Sequence, residues 1–318
     1  MGVILGVDGG NSKTELLAAT VAGEPVAYVR GPGSNSHGLG AEGSAAVLAT
    51  LLERAALEGT ADCGAFFLCG ADLPSDIAEL TAAVTRRGWV RRALVDNDTF
   101  ALLRTGTDRG DAVAVVCGAG INCVGRTADG RTARYPSLGW ETGDWGGSEM
   151  LGREVLFHAA RALDGRGEQT ALVDVVRAHF RLPVAEVGAA LHYRRMRHER
   201  LGELAPVVLA AAAGGDAVAR SLVARLAEEV TLLAQKALRD LGLSGADIVL
   251  GGGMLRGGLL VEEVVARLPA GTRPVVVTEP PVLGAALAAL DEAGAPPYAA
   301  ARLRDAFRAG LAAEDVRG

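Results

Sequence analysis

Two short glycine-rich turns are the parts of this sequence best suited to chemistry. One lies within Gly6–Glu15 and the other within Val115–Gly125, and each separates two apolar runs that are typical of β-strands. A strand, a tight glycine turn and a returning strand direct several backbone N–H groups at one point, and such a concavity suits phosphate oxygens. The duplication predicts a cleft that holds a nucleotide from both sides.

The first turn departs from the phosphate loop of nucleoside triphosphatases. Ser12 stands before Lys13 where that loop needs a glycine, and Thr14–Thr20 is strand-like rather than helical. Asp8 ends the strand before the turn, and a carboxylate beside exposed amides suits a hydrated Mg²⁺ ion. The alternative is an ordinary Asp-Gly hairpin. We interpret Asp8 as a ligand of magnesium through water, and the predicted phosphate-binding residues are Gly9, Gly10, Asn11, Ser12, Lys13 and Thr14.

The second turn, Gly118–Asn122, is not a dinucleotide fingerprint, because Cys123 replaces its third glycine and a strand follows it. We interpret it as a second phosphate turn. A glycine triplet, Gly251–Gly253, follows another buried apolar run and leaves backbone open to adenine and ribose, although glycine-rich strand ends are also common without a ligand. The predicted nucleotide contacts are Gly118, Ala119, Gly120, Asn122, Gly252 and Gly253.

Two acids lie where α/β proteins usually bind ligands. Asp96 and Asp98 flank Asn97 at a strand end before a helix. One acid is expected to cap the helix, and the other could accept or orient the proton of a substrate hydroxyl. Phosphoryl transfer has a loose transition state, so positioning matters more than strong basicity. In the alternative interpretation both acids are caps.

Two polar loops suit a sugar. Gly139–Glu149 places Trp140 and Trp145 beside carboxylates, and indole faces with acids match the apolar faces and hydroxyl edges of sugar rings. The alternative is a loop held by two buried indoles. Gly33–Gly38 offers small polar side chains that can hydrogen-bond hydroxyls.

The elements that position these residues form two similar halves. Each half reads as a three-stranded meander followed by alternating helices and strands. This order predicts an α/β fold of two duplicated domains, each a mixed sheet flanked by helices. The first domain is expected to span 1–111 and the second 112–294, with a helical insertion over 147–240.

The whole-chain composition narrows the class of protein. The chain has 318 residues, 49% of them apolar and 22% charged, with a net charge of −6, which is typical of a globular protein of about two domains. The negative charge argues against a nucleic-acid footprint. No apolar run is long enough for a membrane span, and the opening run is too short for a signal peptide. Four cysteines without CxxC spacing indicate buried thiols in a reducing cytoplasm.

In their order along the chain these motifs resemble those of the N-acetylglucosamine kinase and BadF/BadG/BcrA/BcrD-type ATPase family, within the actin-like ATPase and sugar kinase superfamily. The resemblance spans nearly the whole chain. It implies duplicated actin-like, ribonuclease H-like domains with ATP and Mg²⁺ in the interdomain cleft, and a C-terminal helix over 295–312 that returns to the first domain. We expect a cytoplasmic homodimer that binds ATP and an amino sugar. The residues that carry the resemblance are Asp8–Thr14, Ser34–His37, Asn97-Asp98, Gly118–Asn122, Gly139-Trp140, Gly143-Asp144 and Gly251–Gly253.

By position, the resemblance implies that Asp98 activates the sugar hydroxyl and that Asn35 and Asp144 bind the sugar. It also implies that Gly10–Thr14 and Gly118–Asn122 are the phosphate turns, and that Gly252 and Gly253 belong to the adenosine motif. The chain departs from the family where Ala119 and Ile121 replace hydroxyl residues, and where Trp145-Gly146-Gly147 follows Asp144 in place of Glu-Gly-Ser. The expected substrate-binding residues are Asn35, Ser36, His37, Asp98, Gly139, Trp140 and Asp144.

Three functions remain open from the sequence. The first is an amino-sugar kinase acting on N-acetylglucosamine or glucosamine. The second is an ATP-driven activator of a dehydratase or reductase, which needs cysteines exposed at a dimer interface to share an iron–sulfur cluster; Cys117 and Cys123 instead flank a turn. The third is a regulator that binds sugar and nucleotide without transfer, against which the retention of both Asp8 and Asp98 weighs.

Overall fold

The chain folds into two units in the computed structural model, which describes residues 2–311. The first unit contains the residues up to Gly110 together with those from Val277 onward, and the second contains Asp111–Val276.

The first unit is built on a mixed five-stranded sheet. Its strands stand in the order β3-β2-β1-β4-β5. Strands β1, β2 and β3 form an antiparallel meander, while β4 and β5 run parallel to β1. The strands are β1 (Val3–Gly9), β2 (Lys13–Thr20), β3 (Pro25–Pro32), β4 (Ala61–Leu68) and β5 (Val90–Asp96), and the helices are α1 (Ser36–Ala55), α2 (Pro74–Arg86) and α3 (Thr99–Gly106).

Helix α1 begins at Ser36, inside the segment Gly33–Gly38 that the sequence indicated to be a polar loop. The side chain of Asn35 accepts a hydrogen bond from the His37 amide at 2.9 Å, which satisfies a donor that has no partner within the helix. Gly40 then leaves helical geometry with a φ of +68°, which a glycine adopts without steric cost. The first turn of α1 is therefore set apart from the rest of the helix.

The second unit repeats the same plan, with strands in the order β10-β9-β6-β7-β8. Its first three strands are again an antiparallel meander, and its last two again run parallel to the first strand. This repetition confirms the predicted duplication of a mixed sheet flanked by helices. The strands are β6 (Ala112–Cys117), β7 (Ile121–Arg126), β8 (Thr132–Arg134), β9 (Asp247–Gly251) and β10 (Arg273–Val276), and the helices are α4 (Gly147–Leu163), α5 (Leu172–Phe180), α6 (Val184–His192), α7 (Ala205–Ala213), α8 (Ala217–Leu241) and α9 (Leu259–Arg267).

The chain returns to the first unit at Val277, whereas the sequence placed the end of the second domain at residue 294. Helix α10 (Val282–Glu292) belongs to the first unit because its small side chains pack on β1 and α3. Helix α11 (Pro297–Ala306) and a π turn over Phe307–Leu311 follow it. Of the predicted helix over 295–312, residue 312 lies outside the described residues.

Two close approaches fix how α10 lies on β1 and α3. A Cβ atom on Gly6 of β1 would stand 2.2 Å from the backbone nitrogen of Ala286, and a Cβ on Gly284 would stand 2.0 Å from the carbonyl oxygen of Ala101. Only glycine leaves room for backbone contact at both positions. The helix thus lies directly on β1, the strand that carries Asp8 near its end.

Among residues 2–311, no single helix is long and apolar enough to cross a membrane. The segments His198–Ala213 and Ala217–Leu241, which are bent by 113° relative to each other, pass the same criteria of length and composition together.

Candidate functional site

Three acids converge where the parallel strands of the first unit end. Asp8 lies next to the end of β1, Asp72 follows β4, and Asp98 follows β5. Because β1, β4 and β5 are neighbours in the sheet, the segments that follow them meet at one edge, which is the usual ligand position in such folds.

The environment of Asp98 favours its neutral form. Burial of its carboxyl group raises its pKa to about 7, and the charge of Asp72 acts in the same direction. The pKa of Asp8 is raised well above its ordinary value, first by burial and then by the charges of Asp98 and Glu15, with Lys13 opposing them. The site thus concentrates negative charge in a poorly hydrated place.

The N-cap position of helix α3 is Asp98, but the side chain of Asn97 supplies the bond to the first turn. Its side-chain oxygen accepts a hydrogen bond from the Thr99 amide at 2.9 Å. Asp96 accepts a bond from the Asn97 amide at 2.8 Å, and Asp98 makes no capping bond to the helix. Asp98 is thus the N-cap residue of α3 by position, as expected for one of the two acids, although its side chain makes no capping bond.

The first glycine turn is closed by its own backbone. The Gly10 amide donates to the Lys13 carbonyl at 2.9 Å, and the Thr14 hydroxyl donates to Ser34 at 2.8 Å with both side chains buried. These two groups, which the sequence assigned to phosphate, are already bonded within the fold. Asn11 and Ser12 stand exposed at the tip of the turn.

Lys13 is held by a buried acid. Its ammonium group donates to Glu15, a side chain that is 2% exposed. The other oxygen of Glu15 accepts the Tyr28 hydroxyl at 2.6 Å. Since Glu15 faces Asp8 directly across β1 and β2, this bond ties Lys13 to the edge where the acids converge.

The predicted sugar loop lies against the same acids. The side-chain amide of Asn35 donates to Asn11 at 3.2 Å, and the ring of His37 lies 3.4 Å from the Asp72 carboxylate. The Ser36 hydroxyl oxygen is buried and makes no hydrogen bond within the described part of the chain. Gly70, with a φ of +88°, allows the contact because a Cβ there would stand 2.3 Å from that oxygen.

Asp72 is the residue that the sequence reasoning missed. Its side chain is 8% exposed. It accepts a hydrogen bond from the side-chain amide of Asn97 at 2.7 Å, and it faces the ring of His37. A signal existed, because an acid shortly after a buried strand is the same pattern that singled out Asp98.

In the second unit, the predicted phosphate turn packs on the start of α4. The Gly118 amide closes the turn onto the Gly120 carbonyl at 2.9 Å, and the Ser148 and Glu149 amides donate to the carbonyls of Gly118 and Ala119 at 2.8 and 3.1 Å. Backbone bonds from the N-terminus of α4 thus fix the position of the turn.

The glycine triplet adjoins this turn through Cys117. The Met254 amide donates to the Cys117 carbonyl at 3.0 Å, and a Cβ on Gly252 would stand 2.4 Å from the same oxygen. Gly253 is exposed with open space beside it. The two predicted nucleotide segments of this unit, 118–122 and 251–253, therefore lie side by side.

The side chain of Asn122 serves the fold of the second unit. Its oxygen accepts hydrogen bonds from the Ser137 hydroxyl and from the Cys123 amide, each at 2.6 Å.

The two tryptophans of the Gly139–Glu149 loop differ. Trp140 is 73% exposed on a 3₁₀ turn over Gly139–Thr142, whereas Trp145 is 5% exposed and has the Arg225 guanidinium 3.9 Å from its ring. Asp144 accepts the hydroxyl of Thr142. Only Trp145 is buried, and Trp140, on the same loop as Asp144, is presented to solvent.

The four cysteines are free. Cys63, Cys117 and Cys123 are buried and Cys69 is half-buried. Burial raises the pKa of all four thiols, to about 12 for Cys117, which disfavours the thiolate form that binds metals. Within residues 2–311, no group of three or more histidine, cysteine or acidic side chains is arranged to hold a metal ion.

The sequence matches the BadF/BadG/BcrA/BcrD ATPase family over residues 5–289. It is 26% identical over 256 residues to an N-acetylmuramic acid/N-acetylglucosamine kinase of Clostridium acetobutylicum, covering 79% of this chain and 84% of the relative. It is 24% identical over 319 residues to an N-acetyl-D-glucosamine kinase of Dictyostelium discoideum, covering 91% and 98%.

The fold is also similar to a solved one. The crystal structure of a proposed N-acetylglucosamine kinase from Chromobacterium violaceum matches with a TM-score of 0.70 at 22% identity, covering 90% of this chain and 98% of that one. This likeness concerns the fold, and it agrees with the repeated mixed sheets described above.

Proposed function

We infer that this chain, which belongs to the BadF/BadG/BcrA/BcrD ATPase family, is an ATP-dependent amino-sugar kinase. Both curated relatives are named as kinases of N-acetylated sugars, and the matches cover most of each chain. The acceptor we propose is a hydroxyl of N-acetylglucosamine or glucosamine, and the donor is the γ-phosphoryl group of MgATP.

The observation that carries this proposal is the carboxyl of Asp98, which lies half-buried at the start of α3 beside Asp72 and near Asp8. Its pKa of about 7 lies near working pH, where a general base combines a useful deprotonated fraction with sufficient basicity. Asp98 stands at the N-cap position of α3 without making a side-chain capping bond there.

In the proposed reaction, Asp98 orients the sugar hydroxyl and accepts its proton as the hydroxyl oxygen bonds to the γ-phosphorus. The bond from that phosphorus to the bridging oxygen breaks, ADP leaves, and Asp98 returns the proton to solvent. Asn35, Ser36 and His37 lie beside the acids and are proposed to hydrogen-bond the sugar. Holding the hydroxyl in line supplies most of the acceleration, because the transition state of phosphoryl transfer is loose.

Asp8 fits a magnesium ligand. Its carboxyl lies near Asp98 and Glu15, and the resulting repulsion contributes to its raised pKa; a divalent cation would relieve this repulsion. We propose that Asp8 holds Mg²⁺ through water, since that ion keeps most of its waters in nucleotide sites. When bound, the ion neutralises charge on the phosphates.

Nucleotide binding in the second unit is proposed for the turn Gly118–Asn122 and for Gly252 and Gly253. The support is that these segments adjoin around Cys117 and that Gly253 stands open. Trp140 and Asp144 are proposed to bind sugar, because an exposed indole and a carboxylate on one loop suit a sugar face and its hydroxyls. Gly139, whose φ is +82°, shapes the turn that presents Trp140.

The burial of the cysteines disfavours the dehydratase activator, which would need thiols exposed at an interface. We propose that the kinase works in the cytoplasm, where ATP is abundant, and that it binds neither nucleic acid nor membrane. The homodimer stays a prediction, which light scattering after gel filtration tests.

A coupled ADP-release assay tests the function. Purified protein with MgATP is offered N-acetylglucosamine, glucosamine, N-acetylmuramic acid, glucose and mannose, and products are identified by mass spectrometry. We expect one of the amino sugars to give the highest kcat/KM. Sugar binding with no sugar-dependent ADP release would support the regulator instead.

A further inference from the structure

Asp72 contacts both segments that carry the proposed acceptor site. One carboxylate oxygen accepts the Asn97 side-chain amide at 2.7 Å, and the other lies 3.4 Å from Nε2 of His37. The side chain of Asp72 is 8% exposed and Asn97 is 5% exposed, whereas the side chain of His37 is 45% exposed. The bond to Asn97 is therefore shielded from bulk water, and charge-assisted bonds in such a place are stronger and more costly to lose.

The bond to Asn97 fixes which way that amide points. Because its nitrogen donates to Asp72, its oxygen is turned to the Thr99 amide at the first turn of α3. Asp98 stands between these two residues in the chain, so the orientation of Asn97 sets the backbone from which the Asp98 carboxyl projects.

The contact of Asp72 with His37 fixes the other segment, the predicted sugar loop. The His37 amide donates to Asn35, and Asn35 reaches Asn11 at the tip of the first glycine turn. Asp72 is thereby the midpoint of a continuous polar chain from that turn to the start of α3.

We propose that Asp72 is a positioning residue for phosphoryl transfer, which holds the sugar loop at His37 and the Asp98 loop at Asn97 in one fixed geometry. It acts through these two neighbours and does not itself contact the reacting atoms. This inference rests on the proposed sugar-kinase function.

Asp76 supplies a matched control. It lies four residues further along the same connection, and its carboxylate accepts the Leu73 amide at 2.8 Å as part of the local cap of α2. It is therefore a nearby acid whose hydrogen bond is local to α2 and not to Asn97 or His37.

The test compares D72N, D72A and D76N by steady-state kinetics with the amino sugar at saturating MgATP. D72A is expected to lower kcat by about 10- to 100-fold, since a displacement near 1 Å can cost that much, while the KM for ATP stays within about twofold. D72N retains the shape and an oxygen that can accept from Asn97, so it should recover part of that loss. D76N should keep the wild-type kcat.

A double-mutant cycle with N97A shows whether Asp72 acts through Asn97. If it does, D72A and N97A lose less together than the sum of their separate losses in activation free energy. Additive losses, or a wild-type kcat for D72A, would overturn the inference. If D72A is misfolded, its Tm is lowered and its ATP binding is weakened. In that case D72N decides, and full activity of D72N with an unchanged pH profile would reject the positioning role.

Failure of the two proposals is distinguishable. A wild-type protein that phosphorylates no amino sugar overturns the kinase function and this inference with it. An active wild type whose kcat is insensitive to Asp72 overturns the inference alone.

Discussion

The buried carboxylate of Glu15 binds the ammonium group of Lys13 and so fixes the only lysine of the first unit at the first glycine turn. The second oxygen of Glu15 is taken by Tyr28, which leaves that carboxylate no freedom to turn away. Lys13 is thus oriented in advance rather than free in solvent.

Replacing Lys13 tests its proposed contact with phosphate. K13M should raise the KM for ATP about tenfold, because one charge-assisted contact to phosphate is worth about 1.5 kcal/mol, and it should change the sugar KM much less. The chain has a single other lysine, Lys236, which pairs with Asp240 on the exposed side of α8. K236M is the control, and an equal effect of both variants would reject the assignment.

Replacing Asp98 tests the base. D98N should lower kcat by about 100- to 10,000-fold, the usual contribution of general base catalysis, while nucleotide affinity measured by calorimetry stays near that of wild type. D305N, at an exposed acid of α11, should have normal kinetics. Near-normal turnover of D98N would remove Asp98 from the mechanism.

The pH dependence of catalysis follows from the same carboxyl. Only deprotonated Asp98 accepts a proton, and its pKa in the free protein is about 7. The kcat/KM for the sugar should therefore rise tenfold per pH unit well below 7 and level off above it. The residual activity of D98N should lack this limb, and a wild-type profile that is flat from pH 5 to 8 contradicts the prediction.

Stability should depend on pH in the opposite sense to activity. A carboxyl whose pKa is raised by folding holds its proton more tightly in the folded protein, so the free energy of unfolding falls as pH rises from about 4 towards 7. D98N has no proton to lose there, and at pH 8 it should be more stable than wild type by about 1 to 3 kcal/mol. Denaturant unfolding at pH 4 and pH 8 measures the difference, with D305N showing no such gain.

Gly6 should tolerate no side chain. G6A places a methyl group 2.2 Å from the Ala286 nitrogen and is expected to destabilise the fold by about 2 to 4 kcal/mol, since the helix must move off the sheet. Gly188, inside α6, has open space around it. G188A should stabilise by up to about 1 kcal/mol through helix propensity, so the two substitutions are expected to shift Tm in opposite directions.

The repeated sheets could be predicted from the sequence because apolar runs and glycine turns are local signals. The contact of Asp72 with Asn97 could not, since the two lie 25 residues apart in the chain and meet only through the parallel order of β4 and β5. The engagement of Thr14 by Ser34 and the different exposure of Trp140 and Trp145 are likewise tertiary facts. Alternation and turn chemistry indicate where a side chain can act, whereas its bonding partners depend on packing.

Helix α10, which lies directly on β1, has a consequence for biosynthesis. One face of the first sheet, including Ile4 and Leu17, packs on a helix that the ribosome makes only after the whole second unit. The first strands must therefore leave the ribosome with an exposed apolar face, which is buried only when the last part of the chain has been made. A nascent polypeptide stalled before Val277 would be a natural client for chaperones, however well its later half had already folded.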